Sequence, residues 1–244
     1  MPSAIELHAR KTRGFDARVA HAVALLREAA EDHAGRIVQA TSLGVEGMVL
    51  TDMIARHKLA IAVATLDTGK LHTETLALIP RIEQRYGIPV QVFRPRQEAV
   101  VHFVRRHGEH AMFDSVEQRK GCCDVRKVEP MTRLLEGRSA WVTGLRRQQS
   151  DQRSNVPHFE IDADGREKFY PLADWSDADI WHYVARFEVP YNELHDQFYP
   201  SIGCEPCTRA VSLGEDPRAG RWWWEGEEAA KECGLHRRPE SVAA

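Results

Sequence analysis

The chain is short of several things, and each shortage excludes a class of protein. No apolar run approaches the roughly 18 residues that span a bilayer, and the opening "MPSAIELHARKTRGF" has no signal-peptide core. Both point to a cytoplasmic protein without a membrane partner. Positive charge is not in surplus: 33 Lys and Arg face 36 Asp and Glu, for a formal net charge of −3. A nucleic-acid partner is therefore not expected, and any anionic ligand has to be held by a local basic cluster. Cysteine is scarce and odd in number, five in 244 residues, which argues against a disulfide framework. Internal repeats, low-complexity tracts and long linkers are also missing.

What is present fits a globular chain: 43% hydrophobic and 28% charged residues, enough for one large domain with an appended tail. "RIVQATS" (36–42), "AIAVATLD" (60–67), "PVQVF" (89–93) and "AWVTGL" (140–145) read as strands. Between them lie helical patterns at 15–33, with Phe15, Val19, Val23 and Leu26 on one face, at 48–57 and at 97–107. A further helix sets Leu71, Leu78, Ile82 and Tyr86 on one side. Pro130 is placed to open or kink a helical turn, and Ser176 with Asp179 forms a capping pair before Ile180, Trp181 and Val184. The alternation predicts an α/β fold, a mainly parallel sheet with helices on both faces. In such sheets ligands sit beyond the carboxyl ends of the strands, here 42–47, 67–72 and 144–150. Periodicity fades near residue 190, so 1–190 is read as the α/β domain and 191–244 as a functional tail folded over it.

Four cysteines form two pairs, Cys122–Cys123 and Cys204-Glu205-Pro206-Cys207. Adjacent Cα atoms lie about 3.8 Å apart, too close for an ordinary disulfide. Four thiolates from two distant segments can bind zinc or hold an iron–sulfur cluster, and adjacent residues suit the separated corners of a cluster better than one zinc atom. The alternatives are two core thiols beside a redox pair. Cys233 stands apart in "KECGLH", near Lys231 and His236. A neighbouring cation favours the nucleophilic thiolate, while a surface thiol is the plain reading.

"TSLGVEG" (41–47) joins a strand to a helix, and its Ser42, Gly44 and Gly47 would let backbone N–H groups approach a phosphate. It lacks the lysine of a P-loop, so a simple turn is equally compatible. "LDTGKLH" (66–72) follows the second strand in the same way, with Asp67 able to orient a ribose or to cap a helix. Arg146, Arg147, Arg153, Arg218 and Arg221 are anion ligands if they converge and solvated charges if they do not. Trp222, Trp223 and Trp224 cannot all face one way.

Taken in order, "SLGVEG", "LDTGKLHTET", "GCCDVRKVEP", "TGLRRQQS", "GCEPCTRAV", "RWWWE" and "KECGLH" resemble the assimilatory adenylyl-sulfate reductases, relatives of the phosphoadenylyl-sulfate reductases. The resemblance runs from about Arg36 to His236. It implies an adenine-nucleotide-binding domain of the PP-loop type, with a C-terminal tail carrying a nucleophilic Cys233. It implies that Cys122, Cys123, Cys204 and Cys207 ligate one 4Fe–4S cluster. Ser42, Gly44, Leu66, Asp67 and Gly69 would line the nucleotide pocket. Lys127, Arg147, Arg218 and Arg221 would bind the phosphosulfate, with His236 as a further substrate residue. The implied reaction takes adenosine 5′-phosphosulfate to sulfite and AMP through a cysteine S-sulfonate, with thioredoxin or a similar dithiol protein as donor, in sulfate assimilation and cysteine biosynthesis. The implied assembly is a homo-oligomer. Reduction of the 3′-phosphorylated nucleotide, alone or as well, is the alternative. More distant rivals are an ATP-using PP-loop enzyme and a zinc-stabilised nucleotide-binding regulator. The family often has an acidic residue where this chain has Gly47.

Overall fold

The computed structural model describes residues 2–150 and 153–226. Six strands form one sheet in the order β3-β2-β1-β4-β6-β5. They are β1 (Ile37–Thr41), β2 (Ala62–Leu66), β3 (Val90–Phe93), β4 (Ala140–Val142), β5 (Phe159–Ile161) and β6 (Glu167–Phe169). All neighbours pair in parallel except β5, which lies antiparallel to β6 at the edge. The first four strands fall where the apolar runs put them. The β5–β6 hairpin is an addition that the sequence reading did not contain.

The helices are α1 (Ala4–His8), α2 (Phe15–Asp32), α3 (Val45–Arg56), α4 (Thr73–Leu76), α5 (Leu78–Tyr86), α6 (Gln97–His107), α7 (Val116–Cys123), α8 (Glu129–Leu135) and α9 (Asp177–Phe187). Successive strand residues point to opposite faces, and the core divides accordingly. Ile37, Val63, Ala140 and Val142 pack with apolar residues of α2, α3, α5 and α9. Their neighbours Val38, Ala64 and Trp141 pack with Met131, Leu134 and Leu135 of α8. The fold is thus α/β, with a mainly parallel sheet covered on both faces. The α9 capping pair is present: Ser176 Oγ accepts from the Asp179 N–H at 3.1 Å, and Asp179 Oδ2 accepts from the Ser176 N–H at 2.9 Å.

Two local readings change. Leu71 is not helical; it makes an isolated antiparallel bridge with Cys204. The helix instead starts at Thr73 and is interrupted at Ala77, three residues before Pro80. A proline there has no N–H for the carbonyl one turn back, which breaks the ladder. Pro130 opens the first turn of α8, and α7 runs into α8 through a π-helical turn, Asp124–Val128. Beyond α9 the described chain holds only short 3₁₀ turns, Glu193–Gln197 and Glu205–Cys207, and a second isolated bridge, Thr208 to Arg221.

Candidate active site

The cysteine cavity is built from segments far apart in the chain. Cys122 and Cys123 close α7, and Cys204 and Cys207 flank the 3₁₀ turn at Glu205. All four are buried, outside any disulfide, and line one cavity of about 350 Å³ counting its open mouth, together with Lys70, Arg126 and Lys127. The late segment is stitched to the loop after β2. The Glu205 N–H donates to the Lys70 carbonyl at 2.8 Å, and Thr68 Oγ1 lies 3.2 Å from Cys204 Sγ. Arg126 Nη1 donates to the Thr68 carbonyl at 2.8 Å. A Cβ at Gly203 would lie 2.6 Å from Cζ of Arg221, so any larger residue there would displace that guanidinium.

Burial pushes the Cys122 thiol up, against the pull of Arg126. Burial and the neighbouring Cys204 push Cys207 up to about 11, with Lys127 and Arg221 opposing. These thiols therefore stay protonated until a positive group displaces their protons. Among the described residues no three His, Cys, Asp or Glu side chains are grouped to hold a single metal ion.

The loops read from the sequence as ligand-binding lie at the carboxyl ends of β1, β2 and β4. Gly44 caps α3, whose first-turn N–H groups have no carbonyl partner within the helix. Leu43, with φ 59°, takes the left-handed conformation that side chains disfavour. Its fully buried side chain and its N–H, donated to Thr41 Oγ1 at 3.0 Å, hold it there. Asp67 accepts from the Gly69 N–H at 3.0 Å and from Arg94 Nε at 2.9 Å, so it orders its own loop.

The first turn of α3 is also tied to the loop after β4. Glu46 accepts from Arg146 Nη2 and from Gln149 Nε2, both at 2.9 Å. Burial would raise the Glu46 carboxyl, but the Arg146 charge and the Gln149 hydrogen bond outweigh it and hold it below the usual carboxylate range. Gly144 makes this approach possible, since a Cβ there would lie 2.7 Å from Cβ of Glu46. Gln39 Nε2 donates to the Gly47 carbonyl at 2.7 Å, and a Cβ on Gly47 would overlap Thr41 Oγ1. Any side chain at position 47 would meet Thr41 Oγ1 as Thr41 now stands.

The basic residues divide. Lys127 and Arg126 line the cysteine cavity. Arg221 is buried, lies over Trp222 at 4.7 Å and donates to Ser201 Oγ at 3.3 Å. The backbone N–H of Arg218 donates to Asp216 Oδ1 at 2.7 Å. Arg147 does not line the cavity. Its guanidinium pairs with Asp174 and donates to the Val156 carbonyl at 2.7 Å. Of the three tryptophans, Trp222 is buried against the cysteines, Trp224 packs on Phe113 at 4.5 Å, and Trp223 is 49% exposed. Cys233 and His236 lie outside the described residues. Sequence reasoning assigned no role to Thr68, Arg126 or the Glu46–Arg146 tie. Each sits inside a quoted motif, which was the available signal.

The comparisons agree with this geometry. The model of the phosphoadenosine phosphosulfate reductase domain matches residues 36–210. The adenosine 5′-phosphosulfate reductase of Allochromatium vinosum is 53% identical over 222 residues, covering 91% of this chain and 86% of that protein. The enzyme of the same name from Burkholderia cepacia is 50% identical over 221 residues, 90% of this chain and 88% of that one. Among solved structures, phosphoadenylyl-sulfate reductase from Candida auris superposes with a TM-score of 0.66 at 26% identity, over 83% of this chain and 98% of that one. Candida glabrata FMN adenylyltransferase, at 15% identity and a TM-score of 0.57 over 83% of this chain and 66% of that one, shares the fold alone. With the matched region spanning more than half of the residues and every strand of the sheet, the chain belongs to the phosphoadenosine phosphosulfate reductase domain family.

Proposed function

We propose that this chain is a thiol-dependent reductase of adenosine 5′-phosphosulfate, yielding sulfite and AMP in sulfate assimilation and cysteine biosynthesis. The observation that carries this is joint: relatives of that name are about half identical over most of the chain, and four cysteines surround one cavity. Two adjacent cysteines suit the separated corners of one 4Fe–4S cluster better than a lone zinc ion. Cys122, Cys123, Cys204 and Cys207 would hold it. When bound, it would tie α7 to the 204–207 turn and so fix the walls of the site around Lys127. The thiols supply both electrons.

In the proposed reaction the Cys233 thiolate attacks the sulfuryl sulfur, an S–S bond forms, the S–O bond to phosphate breaks, and AMP leaves with that electron pair. Lys127, which lines the cavity, is the best-supported cation for the charge developing on the leaving phosphate, with Arg221 near enough to act on Cys207. Arg147 would join them only by giving up Asp174. Ser42, Gly44 and the loop from Leu66 to Gly69 would hold the nucleotide. A thiolate of thioredoxin or a similar dithiol protein then attacks Cys233 Sγ and releases sulfite. Its second thiol resolves the mixed disulfide and frees Cys233, so sulfur(VI) becomes sulfur(IV) as two thiols become one disulfide. No described helix is long and apolar enough to cross a membrane, and the free buried thiols support a reducing cytoplasm. The resemblance supports a homo-oligomer.

Reduction of the 3′-phosphorylated nucleotide is the second reading, favoured by the printed names of the family model and of the Candida auris structure. One anaerobic experiment separates the two. Protein assayed for iron and labile sulfide is mixed with adenosine 5′-phosphosulfate, or with its 3′-phosphorylated analogue, without reductant. The Cys233 peptide is then weighed. Sulfonation by the first compound alone is expected, and a Cys233→Ser variant should bind nucleotide but gain no sulfonate. Labelling by the analogue alone would overturn the substrate, and normal turnover of Cys233→Ser would overturn the nucleophile.

A further inference from the structure

Arg119 sits on α7, three residues before Cys122, and lines the same cavity. Its side chain is 1% exposed, and that of its partner Glu225 is 3% exposed. The contact is a two-pronged fork: Arg119 Nε donates to Glu225 Oε1 and Nη2 to Oε2, the second at 3.1 Å. The guanidinium also lies 4.5 Å from the ring centre of Trp222. The Glu225 N–H donates to the Trp222 carbonyl at 2.9 Å, which closes a turn and aims the carboxylate at Arg119.

A buried ion pair is a poor way to gain stability. Removing both charges from water costs about what their attraction returns, and apolar side chains of similar volume often do as well. Trp222 already offers an apolar surface that a Met–Leu contact would cover. What the fork adds is direction, since two parallel hydrogen bonds fix both position and rotation of the carboxylate. Cys233 follows Glu225 by eight positions. Eight residues reach at most about 26–29 Å when fully extended. The pair therefore sets the point from which the nucleophile-bearing end departs, and it sets that point relative to the helix carrying Cys122 and Cys123.

We infer that Arg119 and Glu225 are positioning residues that reference the Cys233-bearing end of the chain to the cysteine-bearing helix. The inference rests on the proposed reductase chemistry for its consequence, and on the ion pair alone for its geometry. The test uses three full-length proteins with their iron content verified: wild type, Glu225→Gln, and the double variant Arg119→Met/Glu225→Leu. The double variant removes both charges together, so it should keep its fold and its iron even where the single variant, with an unpaired buried arginine, does not. At saturating adenosine 5′-phosphosulfate, the single-turnover rate of Cys233 sulfonation should fall about tenfold or more in the double variant, as expected for a misplaced reacting group, with nucleotide affinity little changed. In parallel, trypsin cleavage at Lys231 is timed with AMP bound. A protease must engage an extended segment on both sides of the cut, so loss of the anchor should speed cleavage. A double variant that is sulfonated and cleaved at wild-type rates would overturn the inference. If wild type itself gains no sulfonate, the reductase reading fails, and faster Lys231 cleavage in the variant would still support the anchor.

Discussion

Gly47 shows how one missing methyl group can be read in two directions. Glycine near the start of a helix is ordinarily a liability, and alanine would stabilise by roughly 0.5–1 kcal/mol. Here the added Cβ overlaps Thr41 Oγ1, and rotating that hydroxyl away would forfeit its hydrogen bond from the Leu43 N–H. Gly47→Ala is therefore expected to destabilise by about 1–3 kcal/mol, the usual cost of overpacking. Adding Thr41→Ala should return part of the loss. Denaturant unfolding of the two variants checks this, and a Gly47→Ala protein more stable than wild type would refute it.

At the scale of elements, the helices on one face of the sheet are joined by a single buried carboxylate. Asp52 of α3, fully buried, accepts from Arg56 on its own helix, from the Tyr86 hydroxyl of α5 at 3.0 Å and from the Tyr183 hydroxyl of α9 at 2.8 Å. Burial, followed by the Asp52 charge, raises both phenols well above the ordinary tyrosine range, so they remain donors at any physiological pH. Tyr183→Phe removes one donor from a buried charge and should cost about 1.5–3 kcal/mol. The cost should appear as a lower denaturant midpoint with an unchanged slope. This knot lies in the helix that opens after Gly44, so it holds α3 from behind while Gln39, Glu46 and Arg146 hold its first turn. On the other face, the π turn between α7 and α8 carries Arg126 and Lys127 one turn beyond Cys122 and Cys123, which brings thiols and cations to one wall.

For the molecule as a whole, buried ionisable groups set the pH range of stability. His195 is buried with its ring edge-on to Trp181 at 5.2 Å, and burial lowers its pKa from 6.5. The unfolded chain therefore takes up a proton near pH 6.5 that the native chain refuses. Stability falls as pH drops below that value, until the native histidine titrates as well. One such proton contributes at most about 1.4 kcal/mol per pH unit. Glu46, Asp162 and Asp179 are held below the ordinary carboxylate range against the effect of burial, by arginine charges or hydrogen bonds. Their contributions are complete above the unfolded carboxylate values and are lost only at still lower pH. Thermal midpoints should accordingly decline from about pH 7 to pH 5 in wild type and decline less steeply in His195→Gln, whatever that variant's absolute stability. Equal slopes would show that the folded-state histidine titrates as it does in water.

The sequence by itself determined whatever depends on neighbours along the chain. Apolar runs located β1 to β4, Ser176 and Asp179 located the start of α9, and the ordered motifs identified the family. The β5–β6 hairpin escaped because its strands are three residues long and expose Phe159 and Ile161, although Asp164-Gly165, with Gly165 at φ 80°, marks its turn. The two cysteine pairs were read as serving one site, and all four line one cavity; the contacts that bring the late pair there, from Thr68 and Lys70, were not legible. Arginine roles were the least legible. Arg146 and Arg147 are adjacent, yet one reaches Glu46 across 100 positions while the other turns to Asp174. Arg119 finds Glu225 across 106 positions. Hydrophobic periodicity is a local property, imposed by the repeat of the backbone. The partner of a long charged side chain is chosen by whichever opposite charge the sheet topology brings within reach, and only the tertiary structure decides that.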